Sequence, residues 1–231
     1  MANVAIIPAR SGSKRVPLKN VHPIDGIPLM GHVIRGALSS GLFDDVVVST
    51  DDQSFASVAD SYGASVPFVR PGALSDDHTT TVDVIHHAVQ SLGLGARDQV
   101  CCIYPTAIMT TRESLRYAIE TLHQTGAMFC FPVARFRSPP SRGLRLSKET
   151  SLLEPVNAAN TETRTQDTEP VWYDAGQFYW GAAESWSTRV SIHQNGCGIE
   201  VPWWQAIDVD EPEDLEVLEF VYHFRNRRPH E

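Results

Sequence analysis

Over its first 135 or so residues the chain alternates short apolar, β-branched runs with stretches whose apolar residues recur every three or four positions. That alternation narrows the fold more than any other feature. Strands are expected at residues 4–7, 46–48, 65–68, 100–104 and 127–133. Between them, residues 28–42 read as a helix with Leu29, Val33, Ile34 and Leu38 on one stripe and Gly41 as its stop. Residues 54–62, ended by Gly63, and 81–92 read as further helices, and 111–125 as another with Thr110 or Thr111 as N-cap and Gly126 as C-cap. Strands separated by helices specify βαβ units: an α/β fold of three layers, with a mainly parallel sheet covered on both faces. In such sheets ligands bind beyond the carboxyl ends of the strands, which puts the 9–20 loop, Asp51 and the loop at Thr106 on the candidate active edge.

From 136 to 170 the periodicity stops. The stretch is polar, carries Pro139, Pro140, Arg142, Arg145, Arg164 and Asp167, and is too long for an idle loop, so a functional or interface arm is expected there. Strands are expected again at 176–180, 199–201 and 206–209, followed by a last helix from Asp210 through Phe224. Pro212 sits in the first turn of that helix and acidic residues near its positive end. The 231 residues suit one domain, 1–231, with the arm inserted at 136–170. A net charge of −9 argues against a general nucleic-acid or membrane binder, which needs a basic face. The opening segment lacks the flank and apolar run of a signal peptide, and no stretch reaches membrane-spanning length, so a cytoplasmic location is expected. The four cysteines fit no metal-ligand spacing, and the nine histidines show no HxH or HxxxH pair.

An acidic protein must meet an anionic ligand with a local basic cluster, and one follows the first strand. In IIPARSGSKRVPLKN (6–20) the cations Arg10, Lys14, Arg15 and Lys19 surround Ser11, Gly12 and Ser13. Small residues let backbone N–H groups approach an anion that the cations neutralise, which suits a polyphosphate. The segment is neither GxxxxGK(S/T) nor GxGxxG, which disfavours P-loop kinases and dinucleotide enzymes. Far along the chain, Asp208 and Asp210 stand two apart, on one side of an extended segment. As hard oxygen ligands beside phosphates they suit Mg²⁺; by pattern alone they fit equally well an acidic helix start, to which Glu211, Glu213 and Asp214 belong. Asp51 is a further candidate near the metal.

The basic loop resembles the signature loop of the CMP–sugar-acid synthetases. Further matches run in order along nearly the whole chain: VVVSTDD (46–52), RPGALSDDHTTTVDVI (70–85), CCIYPTA (101–107), TRTQDTEPVWYDAGQFYWG (163–181) and AIDVDEPEDL (206–215). IYPTA and YDAGQFYWG resemble the pseudaminic acid branch, whereas relatives acting on N-acetylneuraminic acid more often carry glutamine at position 104 and Asn-Gly at 175–176. Two departures are Ser11, where many relatives have glycine, and Ile108, where a proline is frequent.

The resemblance implies a Rossmann-like nucleotidyltransferase fold and CTP as substrate. Ala9 to Lys14 then form the phosphate loop, with Arg10, Ser13 and Lys14 on the phosphates, and Lys19 and Asn20 organise the nucleotide pocket. Arg70 is the expected base reader, and Asp208 and Asp210 the Mg²⁺ ligands, with Arg10, Lys14 and both aspartates forming the catalytic set. Tyr104, Gln177, Phe178 and Tyr179 are candidates for the sugar pocket, with Phe178 on the opposite strand face from the other two and open to a core reading. Arg164 resembles an arm arginine that reaches a partner's substrate, and a homodimer is implied. The implied reaction is attack by the anomeric hydroxyl of a nine-carbon sugar acid on the α-phosphorus of CTP. Its alternatives are N-acetylneuraminic or legionaminic acid as acceptor, and more remotely a non-catalytic nucleotide-binding protein. No general base is identified.

Overall fold

Residues buried on both sides make the centre of the sheet. The first strand, β1 (Asn3–Pro8), has four fully enclosed residues, Val4 to Ile7, and pairs in parallel with two others. The computed structural model describes residues 1–161 and 163–227 of the chain. In chain order the remaining elements are β2 (Pro23–Ile24), β3 (Ile27–Pro28), α1 (Leu29–Ser40), β4 (Asp45–Ser49), α2 (Gln53–Ser61), α3 (Thr81–Leu92), β5 (Gln99–Ile103), α4 (Arg112–Thr125) and β6 (Phe129–Arg135). After them come β7 (Leu144–Leu146), β8 (Leu153–Pro155), β9 (Trp172–Asp174), β10 (Phe178–Ala182), α5 (Ala183–Ser187), β11 (Gly196–Glu200) and α6 (Pro212–Arg227).

The main sheet runs β11-β6-β10-β5-β1-β4, with β9 pairing on β6. Five strands point one way; β10, wedged between β5 and β6, and β9 point the other. The sheet is thus mainly parallel, as the alternation predicts. Pleating of β10 feeds both cores: Phe178 and Trp180 enter the layer under α1 and α4, while Tyr179 enters the layer under α3 and α5. Trp180 stacks on Phe43 at 5.1 Å and donates its indole N–H to the Leu115 carbonyl, so its one polar atom is satisfied inside the core.

Two local expectations give way, and a third segment shows structure of its own. Residues 65–68 make a single bridge, Ser65 to Val47, because Pro67 has no N–H to extend a ladder. Residues 206–209 form no strand; the Val209 carbonyl is taken by the Lys19 ammonium instead of by a neighbouring strand. The aperiodic stretch at 136–170 holds an antiparallel hairpin, β7–β8, with Leu146 opposite Leu153. Among the described residues neither face of that hairpin is covered, with Leu144, Leu146 and Leu153 at 55%, 63% and 58% exposure, and its Leu-Arg-Leu and Leu-Glu-Pro strands are too short for their alternation to stand out in sequence.

Helix starts are chemically specified. Asp52 Oδ1 accepts from Ser54 N and Phe55 N at the head of α2, and Thr80 Oγ1 from Asp83 N at the head of α3. Of the two threonines open as caps for α4, Thr111 fills the role: its Oγ1 accepts from Ser114 N at 3.1 Å, while Ser114 Oγ accepts from Thr111 N. Thr111→Ala is expected to lower unfolding free energy by about 1 kcal/mol, read as a lower urea midpoint at unchanged slope. An unchanged midpoint would show that the cap is idle.

Candidate active site

The basic loop leaves the carboxyl end of β1 and is tied down at four points. Ala9 N donates to Ser49 O, extending the β1–β4 pairing by one bond and burying Ala9. Ser11 donates both its backbone N–H and its hydroxyl to the two Asp51 oxygens, each at 3.1 Å. Asn20 Nδ2 donates to the Arg10 carbonyl at 2.9 Å, and Lys19 Nζ to the Val209 carbonyl at 2.7 Å. Between these anchors the chain surrounds a cleft of about 280 Å³ whose walls include Arg10, Lys19, Asn20, Arg70, Tyr104, Thr106, Asp208 and Asp210. A second cavity of about 340 Å³, lined by Arg10, Ser13, Lys14, Arg15, Lys19, Asp77 and Asp210, adjoins it through four shared residues. Gly12 is free of close neighbours, with open space where a Cβ would stand.

Two larger cavities lie elsewhere, at the root of the arm beside Trp203 and between α1, α4 and α6. Neither includes the basic loop or the aspartate pair.

Three of the loop's four cations, Arg10, Lys14 and Arg15, are already engaged by carboxylates. Arg10 Nη1 lies 2.8 Å from Asp77 Oδ1 and donates to the Asp76 carbonyl at 2.7 Å, while Lys14 Nζ lies 2.6 Å from Asp77 Oδ2. Lys14 first, then Arg10, holds the Asp77 carboxyl below its ordinary range. Arg15 forks between Asp210 and Glu211. Arg70 is 3% exposed: its Nε donates to Ser75 Oγ at 3.1 Å, and its Nη2 stands 3.6 Å from Asp51 without a hydrogen-bond acceptor. Burial lowers the Arg70 pKa, against the pull of Asp51. Asp51 therefore braces both the basic loop and Arg70.

Asp208 and Asp210 flank the fully buried Val209 and both reach the cleft. Although its side chain is open to the cleft, Asp208 is surrounded closely enough that desolvation raises its pKa; Asp210 raises it further and Lys19 opposes the rise. Two like charges so placed favour a bound cation. Among the described residues no group of three or more His, Cys, Asp or Glu gathers into a cage, so the pair Asp208 and Asp210 is what this wall of the cleft offers a cation. That donor set fits Mg²⁺, which keeps its waters and completes its shell with phosphate oxygens. The acidic helix start falls to Asp214, whose Oδ2 accepts from Asp210 N and Glu211 N at 2.9 and 2.7 Å.

The floor beneath Asp208 is a glycine. Gly176 has φ +62°, and a Cβ there would stand 3.1 Å from Asp208 Oδ2. Its N–H donates to Asp174 Oδ1, and Asp174 Oδ2 accepts from Tyr179 Oη at 2.9 Å and contacts His193 Nε2 at 2.7 Å. Tyr179 packs edge-on against Tyr104, whose hydroxyl meets Thr81 Oγ1 at 2.7 Å at the cleft wall. Tyr104 is thus the one expected sugar contact that lines the cleft. Gln177, Phe178 and Tyr179 do not: β10 and its approach are enclosed by strands on both sides and helices on both faces. Phe178 is wholly core, Gln177 is buried with its amide given to the Gln205 carbonyl, and Tyr179 is buried against Tyr104. Arg164 is exposed on the arm and does not line the cleft.

A sheet whose first strand empties into a cationic cradle, facing paired carboxylates, has the layout of a nucleotidyl-transferring enzyme. The family model described as "Cytidylyltransferase" matches residues 4–176, and the chain belongs to that family. It is 36% identical over 225 residues to pseudaminic acid cytidylyltransferase of Campylobacter jejuni subsp. jejuni serotype O:2, covering 96% of this chain and 97% of the relative. It is 31% identical over 226 residues to CMP-N,N'-diacetyllegionaminic acid synthase of Legionella pneumophila, covering 95% of each. Among solved structures, CMP:2-keto-3-deoxy-manno-octonic acid synthetase complexed with CTP superposes with a TM-score of 0.72 over 97% of this chain and 100% of that one, at 17% identity, a likeness of fold.

Gly176→Ala is expected to destabilise the protein by about 1 kcal/mol or more, since alanine is strained at positive φ. It should also cut turnover more than the lost stability explains, because the methyl group meets Asp208. Urea unfolding and turnover at a fully folded temperature separate the two effects; a variant with normal turnover would remove Gly176 from the site.

Proposed function

We propose that this protein transfers CMP from CTP to the anomeric hydroxyl of a nonulosonic sugar acid, first of all pseudaminic acid, and releases pyrophosphate. One observation carries the reading: Arg10, Lys14, Lys19, Asp208 and Asp210 converge at the carboxyl end of β1, in a chain similar over nearly its full length to pseudaminic acid cytidylyltransferase.

In the reaction the hydroxyl oxygen bonds to the α-phosphorus and gives up its proton to solvent, the bond from that phosphorus to the bridging oxygen breaks, and the pyrophosphate carries away the electron pair. Arg10 and Lys14 stabilise the charge growing on the leaving phosphates, with Ser11, Gly12 and Ser13 giving the loop its close approach. Lys19 and Asn20 hold the loop in register with the aspartate pair. Arg70, whose Nη2 has no hydrogen-bond acceptor, reads the base, and Tyr104 walls the sugar pocket. Asp208 and Asp210 would hold Mg²⁺, which compensates triphosphate charge when bound. With CTP as substrate, the enzyme works in the cytoplasm.

Residues 136–170 serve as the arm of a homodimer. The exposed leucines of β7–β8 give that arm an apolar face with no cover among the described residues, and Arg164 sits on the same arm. A second reading, with legionaminic or N-acetylneuraminic acid as acceptor, is supported by the 31% identity to the Legionella enzyme. Tyr104 and the Ala175–Gly176 pair favour the first.

Pyrophosphate release from CTP and Mg²⁺ should be fast with pseudaminic acid and slow with N-acetylneuraminic acid. Asp210→Asn should retain the fold and lose at least about a hundredfold in rate, on the scale of other removed transition-state contacts. The reverse acceptor preference would shift the substrate to the second reading, and no turnover with any of these acids would remove the enzymatic one. Leu146→Asp with Leu153→Asp should convert a dimer to monomers in light scattering; a persistent dimer would clear the hairpin of that role.

A further inference from the structure

We infer that Asp77 is a built-in competitor for the phosphate subsite, a carboxylate that nucleotide must displace and that returns as pyrophosphate leaves. The inference rests on the nucleotide reading of the cleft. One carboxylate spreads its two oxygens over the two cations assigned to the triphosphate, 2.8 Å from Arg10 Nη1 and 2.6 Å from Lys14 Nζ. Arg10 Nη1 also donates to the neighbouring Asp76 carbonyl at 2.7 Å. Two anionic oxygens on one carbon, presented to an arginine and a lysine, have the chemistry of two oxygens on one phosphorus.

The segment carrying Asp77 is shaped to present it. Asp76 Oδ1 accepts from His78 N at 3.0 Å and from Thr79 N at 2.8 Å, a turn that projects the next side chain toward the basic loop. The Lys14 side chain is 81% exposed, so its pairing with Asp77 sits in solvent and is cheap to break. A triphosphate, with several charges to one, wins the cations readily. Release of the segment also reaches Arg70, whose Nε is held by Ser75 Oγ in the same stretch. Displacement at the phosphate end thus loosens a strut behind the residue assigned to the base. The returning carboxylate keeps the cations from retaining pyrophosphate, which makes the contact a device for turnover as well as for selectivity against weak anions.

The test is calorimetric titration of the whole protein with CTP and with inorganic triphosphate, with steady-state kinetics alongside. Asp77→Asn should bind both ligands about three- to tenfold more tightly, the range expected for two exposed ion pairs removed from the competition. Its KM for CTP should fall with no rise in kcat. Asp77→Glu, which keeps the charge and the reach, should bind as the wild type does. Glu211→Gln removes a charge beside Arg15 on the far side of the cradle. If it tightens CTP as much as Asp77→Asn, net charge alone is responsible and the inference fails. Unchanged or weaker binding by Asp77→Asn would make Asp77 an orienting partner of Arg10 and Lys14 and would overturn the competition. A wild type that binds neither ligand overturns the nucleotide reading itself, whereas a wild type that binds both, with Asp77→Asn no different, overturns this inference alone.

Discussion

The hydrogen bond from Lys19 Nζ to the Val209 carbonyl joins the two halves of the site. It links a loop near the start of the chain to the segment that carries both aspartates, across the whole width of the sequence. Without it the segment at 206–209 has no ladder to hold it, because the strand expected there does not form. The same ammonium opposes the rise in the Asp208 pKa, so one group fixes the geometry and moderates the charge. Like charges are thereby gathered on two facing walls, cations on one and carboxylates on the other, each wall making the other tolerable.

Insertion of β10 between β5 and β6 is the second structural condition. An antiparallel strand in a mainly parallel sheet enters from the end where the others leave, so the turn that precedes it arrives at the ligand edge. That turn delivers Gly176 beneath Asp208 and Asp174 beside Tyr179. Trp180, fixed in the core by Phe43 and the Leu115 carbonyl, then locks the register of the strand. A shift of one residue would exchange Phe178 and Trp180 for Tyr179 between the two cores and carry the glycine away from the carboxylate. Packing far from the cleft therefore sets its floor.

Elements with a buried face were legible in the sequence because burial imposes a period. The strands around β1 and the four principal helices declare themselves by that period and by their caps, Thr111 and Gly126 among them. The β7–β8 hairpin and β9 do not, because each of their strands is three residues long and a period needs more than that to show. The cradle was legible as chemistry, four cations in a loop of an acidic protein, but the roles of its members came from resemblance. Phe178 and Gln177 look like ligands in a motif and prove to be enclosed by neighbours that no local pattern announces. Asp77 was overlooked although it lies in a matched motif, since only the fold brings it to Arg10 and Lys14. An acidic residue gives no sign in sequence of which distant cation it faces.

The two departures from the family pattern have structural compensations specific to this chain. Where many relatives have glycine, the Ser11 hydroxyl gives Asp51 a second hydrogen bond beyond the one its backbone makes. The side chain thus adds a fastening at the point where the loop turns away from β1, trading loop freedom for rigidity. Where proline is frequent, Ile108 buries its side chain in the core and donates its N–H to the Thr106 carbonyl at 2.9 Å, a bond proline cannot make. A hydrogen bond here replaces a ring as the means of closing the turn that carries Thr106 to the cleft. Both positions thus hold the backbone by hydrogen bonds that the other residue cannot make, a hydroxyl that glycine lacks and an N–H that proline lacks.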